Sequence, residues 1–234
     1  MAIVTAIPIV ALDFPDAQRA MTLVQVLDEK CRFYKVGSEL FTAGGADMVQ
    51  WLRDSGCEVF LDLKFHDIPN TVAGAMRRVA GMGIKLATVH ASGGTKMMTA
   101  AVEASGPDCH VLAVTILTSL DDASLGEAWG RDRVDVEQEV LRLAELARSC
   151  GVHGIVCSGL EAEAVHSRHG DALKLLVPGI RLPGDSPDDQ ARVITPEAAV
   201  LAGASYLVLG RSVSAAKDPR AAMEAVNNSL KKPV

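Results

Sequence analysis

Aromatic residues are scarce in this sequence: two Trp, two Tyr and five Phe, 4% of 234 positions. Hydrophobic residues still make up 49%, with Ala and Val plentiful. That balance suits buried strands under packed helices better than an all-β sandwich, and it excludes a disordered or fibrous chain. Basic residues are also in deficit, 23 against 29 acidic, for a net charge of −6. A nucleic-acid footprint, which is normally basic, is therefore excluded. A small anionic substrate is not, because a few local cations can build its site. The five cysteines, Cys31, Cys57, Cys109, Cys150 and Cys157, are scattered, with no CxxC pair and no Cys/His cluster. Neither a disulfide framework nor a structural zinc site is expected, and the thiols read as reduced in a cytoplasmic protein. The longest strongly apolar runs fall under ten residues, far short of a membrane span. The N-terminal stretch Met1-Ala-Ile-Val has no basic segment and runs straight into a strand, so no signal peptide is expected. No low-complexity linker divides the chain, and residues 1–234 read as a single domain.

What recurs is a short apolar run, a polar turn, then a segment with helical spacing. The runs are 8–12, 33–37, 59–63, 87–90, 111–115, 154–157, 173–178 and 206–209. They are continuous and β-rich, as parallel strands buried on both faces should be. Ala17, Ala20, Met21, Val24 and Leu27 form one helical stripe. Pro69 opens another helix, with Val72, Met76 and Val79 on one face. Residues 135–147 repeat the pattern with Val136, Val140, Leu143, Ala144 and Ala147, and Thr195-Pro196 reads as N-cap and first helical residue. Parallel strands need such crossovers, and eight units of about 29 residues favour a closed (β/α)8 TIM barrel over an open sheet. In that fold chemistry belongs at the C-terminal ends of the strands, where Asp13, Lys35, Asp62, Lys64, His90, Thr118, Arg181 and Arg211 fall.

The most informative segment runs from Phe60 to Thr71. Asp62 and Lys64, two apart on a strand, point to the same face, toward the barrel interior near its mouth. An isolated pair of this kind can be purely structural, because a buried charge demands a partner. Asp67 adds a second carboxylate and Lys35 a second cation, which together look like a prearranged charged array. An ammonium flanked by carboxylates keeps its proton. It can then stabilise a carbanion and protonate it. A second site is Gly210-Arg211 at the end of the eighth strand: glycine lets the backbone approach an anion and Arg211 adds a charged fork. Barrels commonly bind phosphate after strands seven and eight. Residues 181–190 form a polar, turn-rich segment in which Arg181 and Gln190 fold over a phosphate, unless the segment is a mere connector. Asp13 is either a helix N-cap or an acceptor for a sugar hydroxyl. His90 is as often structural as catalytic, His66 has no assigned role and Cys157 reads as core. The pairs Asp121-Asp122 and Asp188-Asp189 read as solvated loop charges rather than metal ligands.

These residues resemble the orotidine 5′-monophosphate decarboxylase family. The resemblance runs over nearly the whole chain. Its signature is Asp62-Leu-Lys64-Phe-His-Asp67-Ile-Pro-Asn-Thr71, supported by Val10-Ala-Leu-Asp13, Lys35-Val-Gly-Ser38, Leu117-Thr118-Ser119, Pro178-Gly-Ile-Arg181, Asp189-Gln190 and Gly210-Arg211. The resemblance implies a TIM barrel that converts orotidine monophosphate to UMP and CO2, the last step of de novo UMP synthesis. It implies a homodimer with active sites shared across the interface, no cofactor, no metal and no membrane. Carried over, Lys64 donates the proton to C6, Asp62 sits by the substrate carboxylate and Lys35 orients the array. Asp67, Ile68 and Thr71 reach the neighbouring subunit's site, Asp13 binds ribose and Thr118 lies near the pyrimidine. Arg181, Gln190, Gly210 and Arg211 serve the phosphate and its loop.

The nearest rival is a Mg2+-dependent sugar-phosphate decarboxylase or aldolase, of the ketogulonate-phosphate decarboxylase or hexulose-phosphate synthase type. Such enzymes resemble the D-x-K-x-x-D pattern but place a Glu where this chain has Lys35, and a cation there disfavours Mg2+. A ribulose-phosphate epimerase-like barrel would need a His-rich metal site that is not found. A catalytically dead scaffold is disfavoured by the intact Asp62, Lys64 and Asp67.

Overall fold

The computed structural model describes residues 6–182 and 193–231. Eight strands alternate with helices. The first half runs β1 (Ile7–Ala11), α1 (Ala17–Leu27), β2 (Phe33–Gly37), α2 (Ser38–Asp54), β3 (Glu58–Phe65), α3 (Pro69–Gly81), β4 (Leu86–His90) and α4 (Gly94–Ser105). The second runs β5 (His110–Val114), α5 (Asp122–Trp129), α6 (Val136–Ser149), β6 (Gly154–Val156), α7 (Gly159–His169), β7 (Lys174–Val177), α8 (Pro196–Leu201), β8 (Tyr206–Leu209), α9 (Arg211–Ser214) and α10 (Pro219–Leu230). All neighbouring strands are parallel, and β8 pairs back onto β1 to close the barrel. The expected (β/α)8 architecture is therefore the observed one.

The local signals explain the elements. Val72, Met76 and Val79 bury one face of α3, and Pro69 stands in its first turn, where the missing N–H costs nothing. Asp135 caps α6 by accepting from the Gln138 amide, and Thr195 caps α8 by accepting from Ala198. Asp121 caps α5 through a reciprocal pair of bonds with Ser124, while Asp122 accepts from the Val136 amide at 3.0 Å. These two acids thus have structural duties beyond those of solvated loop charges. Asp188 and Asp189 lie outside the described residues.

Two apolar layers result. Ile9, Phe33, Phe60, Leu86, Leu112 and Leu176 are among the side chains filling the barrel interior, while a larger layer packs strands against helices. Phe60 is 1% exposed, and burying a ring of that size contributes about 1.5–3 kcal/mol. At the N-terminal face the rings of His110 and His153 stack at 4.1 Å, and His153 Nε2 lies 3.1 Å from the Tyr206 hydroxyl. Burial, reinforced by His110 and two lysines, pushes the His153 pKa down to about 4. A neutral imidazole stack fits a face that serves stability rather than chemistry. All five cysteines are buried and unbridged, as the reduced-thiol reading requires. Burial pushes the Cys157 thiol up, so it is inert core. Among the described residues no helix is long and apolar enough to cross a membrane.

Candidate active site

The C-terminal mouth of the barrel opens into a cavity of about 510 Å3. That is room for a nucleotide-sized ligand. Its floor is the top of the barrel core: Ala11, Phe60, Val114, Val156, Leu176 and Val208. Polar groups stand on this apolar floor along three walls.

The first wall carries the charges. The register sets Ala11 beside Lys35, Lys35 beside Phe60 and Gly37 beside Asp62. Lys35 therefore starts one pleat below Asp62, and its long side chain reaches both neighbours. Its Nζ donates to Asp13 Oδ1 at 2.7 Å and lies 3.8 Å from Asp62 Oδ2. Lys64 Nζ donates to both oxygens of Asp62 at 2.9 Å. The result is an alternating row: Asp13, Lys35, Asp62, Lys64. Lys35 and Asp62 keep only 11% and 13% of their side-chain surface, so their attraction is poorly screened. All four members line the cavity, with Lys64 at 36% and Asp13 at 56% the more exposed.

The sequence pattern correctly puts Asp62 and Lys64 on one face, but not by a regular strand. Pairing of β3 with β4 shifts between Leu61 and Phe65, and Lys64 has a left-handed φ of 50°. A bulge of this kind re-aims a side chain, here folding the ammonium back over the carboxylate two residues earlier.

Asp13 is not the helix cap; that role belongs to Asp16, which accepts from the Arg19 amide at 2.8 Å. Asp13 is instead the outer carboxylate of the row. Asp67, expected at the same mouth, does not line this cavity and among the described residues makes no ion pair. Its side chain turns to accept from the Ile68 amide at 2.6 Å. Asp67, Ile68 and Thr71 are all exposed at the start of α3, and Ile68 keeps 66% of its surface. His90 sits at the rim with its ring 5.3 Å from that of His66. Burial, then the nearby His66 and Lys64, hold its pKa below the ordinary imidazole value.

The second wall is Ile116, Leu117 and Thr118, after β5. The third, after β7 and β8, holds Pro178, Gly179, Arg181, Gly210, Arg211 and Ser214. Gly179 has a φ of 76°, a conformation glycine adopts without strain, and it turns the chain out of β7 to deliver Arg181. The Ser212 hydroxyl donates to the Ile180 carbonyl at 3.1 Å and ties the two arginine-bearing segments together. Among the described residues, a Cβ on Gly210 would meet no atom within 4 Å. The helix beginning at Arg211 has four residues, so its dipole adds little. Gln190 lies outside the described residues.

Sequence reading missed two residues of this site. Thr88 bonds both Asp62 and Lys64 from the neighbouring strand. Gly37 is kept small by the charged row: a Cβ there would stand 2.9 Å from Lys35 Nζ and 3.1 Å from Asp13 Oδ1. The same-face rule, applied from Lys35 to a residue two further on, would have found it. Gly37→Ala should fold, because the atom it strikes ends a flexible side chain. It should cut turnover by about tenfold or more by displacing Lys35. Unchanged kcat and KM in a folded variant would refute this.

The arrangement offers a wall with two arginines, an apolar floor and a lysine paired with a carboxylate at one spot. Known proteins share the whole framework. Residues 7–226 match the family model described as orotidine 5′-phosphate decarboxylase / HUMPS family. The orotidine 5′-phosphate decarboxylase of Pseudomonas savastanoi pv. phaseolicola is 49% identical over 222 residues, covering 93% of this chain and 94% of that one. The crystal structure of orotidine 5′-phosphate decarboxylase from Lactobacillus acidophilus superposes with a TM-score of 0.85 at 36% identity, over 97% of this chain and 100% of that one. The enzyme of that name from Pyrococcus horikoshii gives a TM-score of 0.78 at 25% identity, over 97% and 100%. The chain belongs to the orotidine 5′-phosphate decarboxylase / HUMPS family.

Proposed function

We propose that the chain decarboxylates orotidine 5′-monophosphate to UMP and CO2, the last step of de novo UMP synthesis, and acts as one catalytic domain. The observation that carries this reading is Lys64 Nζ, held 2.9 Å from both oxygens of Asp62 on an otherwise apolar floor. Breaking the bond from C6 to the carboxylate leaves its electron pair on a ring carbon that the carbonyls cannot delocalise. Fixed charge must meet it. The Lys64 ammonium stabilises the developing carbanion and then gives it a proton, forming the C6–H bond of UMP as CO2 departs. Solvent returns the proton to Lys64. Asp62 keeps Lys64 aimed, and Lys35 locks Asp62 in place from its other side. Asp13 takes the ribose hydroxyls, and Thr118 borders the pyrimidine. Arg181, Gly210 and Arg211, with Gln190, hold the phosphate, whose binding energy is then realised at the distant reacting carbon.

The chain works as a homodimer in this reading. Asp67, Ile68 and Thr71, exposed and turned away from their own cavity, complete the partner's site. Lys64→Ala and Asp67→Ala homodimers should both be nearly inactive. Mixed heterodimers should regain activity, because one of their sites keeps both residues. A mixture that stays dead despite proven heterodimers contradicts site sharing. The buried, unbridged thiols fit a reducing cytoplasm.

The Mg2+-dependent rival is disfavoured by Lys35, whose ammonium lies 3.8 Å from the carboxylate a divalent cation would need. The test is loss of orotidine monophosphate absorbance with EDTA present. Full activity is expected; activity abolished by EDTA and restored by Mg2+ would move the chain to the rival reading.

A further inference from the structure

The ion pair of the proposed mechanism rests on a residue that does not line the cavity. Thr88 lies in the middle of β4 and is 0% exposed. Its hydroxyl accepts from the Lys64 backbone N–H at 2.9 Å and donates to Asp62 Oδ1 at 3.0 Å. A hydroxyl has a single proton. With the Lys64 amide directed at its oxygen, that proton is committed to the carboxylate. One side chain therefore fixes both members of the Lys64–Asp62 pair.

The backbone shows why a hydroxyl is needed there. Leu61 pairs with Ala87 and Phe65 with Val89, so four steps along β3 span only two along β4. Inside that bulge the ladder offers Lys64 no regular partner, and Lys64 is one of two non-glycine residues with positive φ among those described. Such a conformation persists only where its surroundings hold it. Thr88 supplies the acceptor that the bulged amide would otherwise lack.

We propose that Thr88 is a positioning residue for the decarboxylation, its hydroxyl locking Lys64 in the bulge and Asp62 in the orientation that Lys64 Nζ meets. It never touches substrate. This inference rests on the decarboxylase reading of the site.

Thr88→Val keeps the shape and removes the hydroxyl, whereas Thr88→Ser keeps the hydroxyl and removes the methyl. Thr88→Val should lose about 10- to 100-fold in kcat, the cost of a misplaced catalytic group. Its KM and its affinity for UMP should stay within about threefold of the parent, since only an interaction made in the transition state is weakened. Thr88→Ser should retain kcat within about threefold. A Thr88→Val enzyme with parental kcat overturns the proposal. So does a Thr88→Ser enzyme as impaired as Thr88→Val, because packing by the methyl would then be the residue's role. If Thr88→Val fails to fold, Thr88→Ala takes its place with the same expectations. A parent that does not consume orotidine monophosphate would defeat the functional reading instead. A crystal structure of Thr88→Val then decides: Lys64 leaving the left-handed region, or its Nζ leaving Asp62, supports the proposal, and unchanged geometry overturns it.

Discussion

Lys64→Ala is expected to lower kcat on orotidine monophosphate by about 10,000-fold or more while the protein stays folded. In the proposed mechanism its ammonium is both the charge placed where the carbanion forms and the source of its proton, so nothing of the chemical step survives its loss. The fold should survive for three reasons. The side chain is 36% exposed, so little apolar burial is lost. Asp62 keeps the Thr88 hydroxyl at 3.0 Å and the Lys35 ammonium at 3.8 Å, so no bare carboxylate is left buried. The left-handed backbone at this position costs Ala what it costs Lys, so no new strain enters. Thermal melts and UMP titration check the fold, and a stopped assay at high enzyme concentration checks turnover. Lys64→Arg refines the result. It keeps a cation but offers a guanidinium that does not release protons, so it too should be nearly inactive. A folded Lys64→Ala enzyme within tenfold of the parent would end the proton-donor assignment.

Asp62→Asn should cost about 100- to 10,000-fold in kcat, with UMP affinity within about threefold of the parent. The substitution preserves shape and removes one negative charge. Lys35 still has Asp13 at 2.7 Å, but among the described residues Lys64 has no other carboxylate within 4 Å. Two ammonium groups then face each other without the anion that separates them, and the amide nitrogen of Asn cannot accept from either. Lys64 swings away, and the charge leaves the place where C6 becomes negative. The arginines proposed to hold the phosphate, Arg181 and Arg211, lie on other strand ends and are untouched, which is why UMP binding should hold. An Asp62→Asn enzyme with equal losses in turnover and UMP affinity would mean that Asp62 shapes the pocket rather than aiming Lys64.

Much of this site can be read along single strands. Asp62 and Lys64 are two apart, Lys35 lies on the second strand, and Asp13, Arg181 and Arg211 follow the first, seventh and eighth, so period and strand order place them at one mouth. What escapes that reading depends on register between strands. Thr88 is 26 residues from Asp62, and only the β3–β4 pairing joins them. The bulge at Lys64 has no glycine to announce it, because the conformation is held by tertiary bonds rather than by intrinsic preference. Asp67 shows the opposite limit. Its spacing from Lys64 suggests convergence, but the chain has already bent toward α3, and the carboxylate turns onto the next amide.

The most direct test of the central claim is the stoichiometry of the reaction run by the purified protein in D2O with EDTA present. One CO2 and one UMP should appear per orotidine monophosphate consumed. The UMP should carry a single deuterium at C6, delivered through the exchangeable protons of Lys64. Consumption that requires a divalent cation, or a folded protein that releases no CO2 from this substrate, would contradict the account.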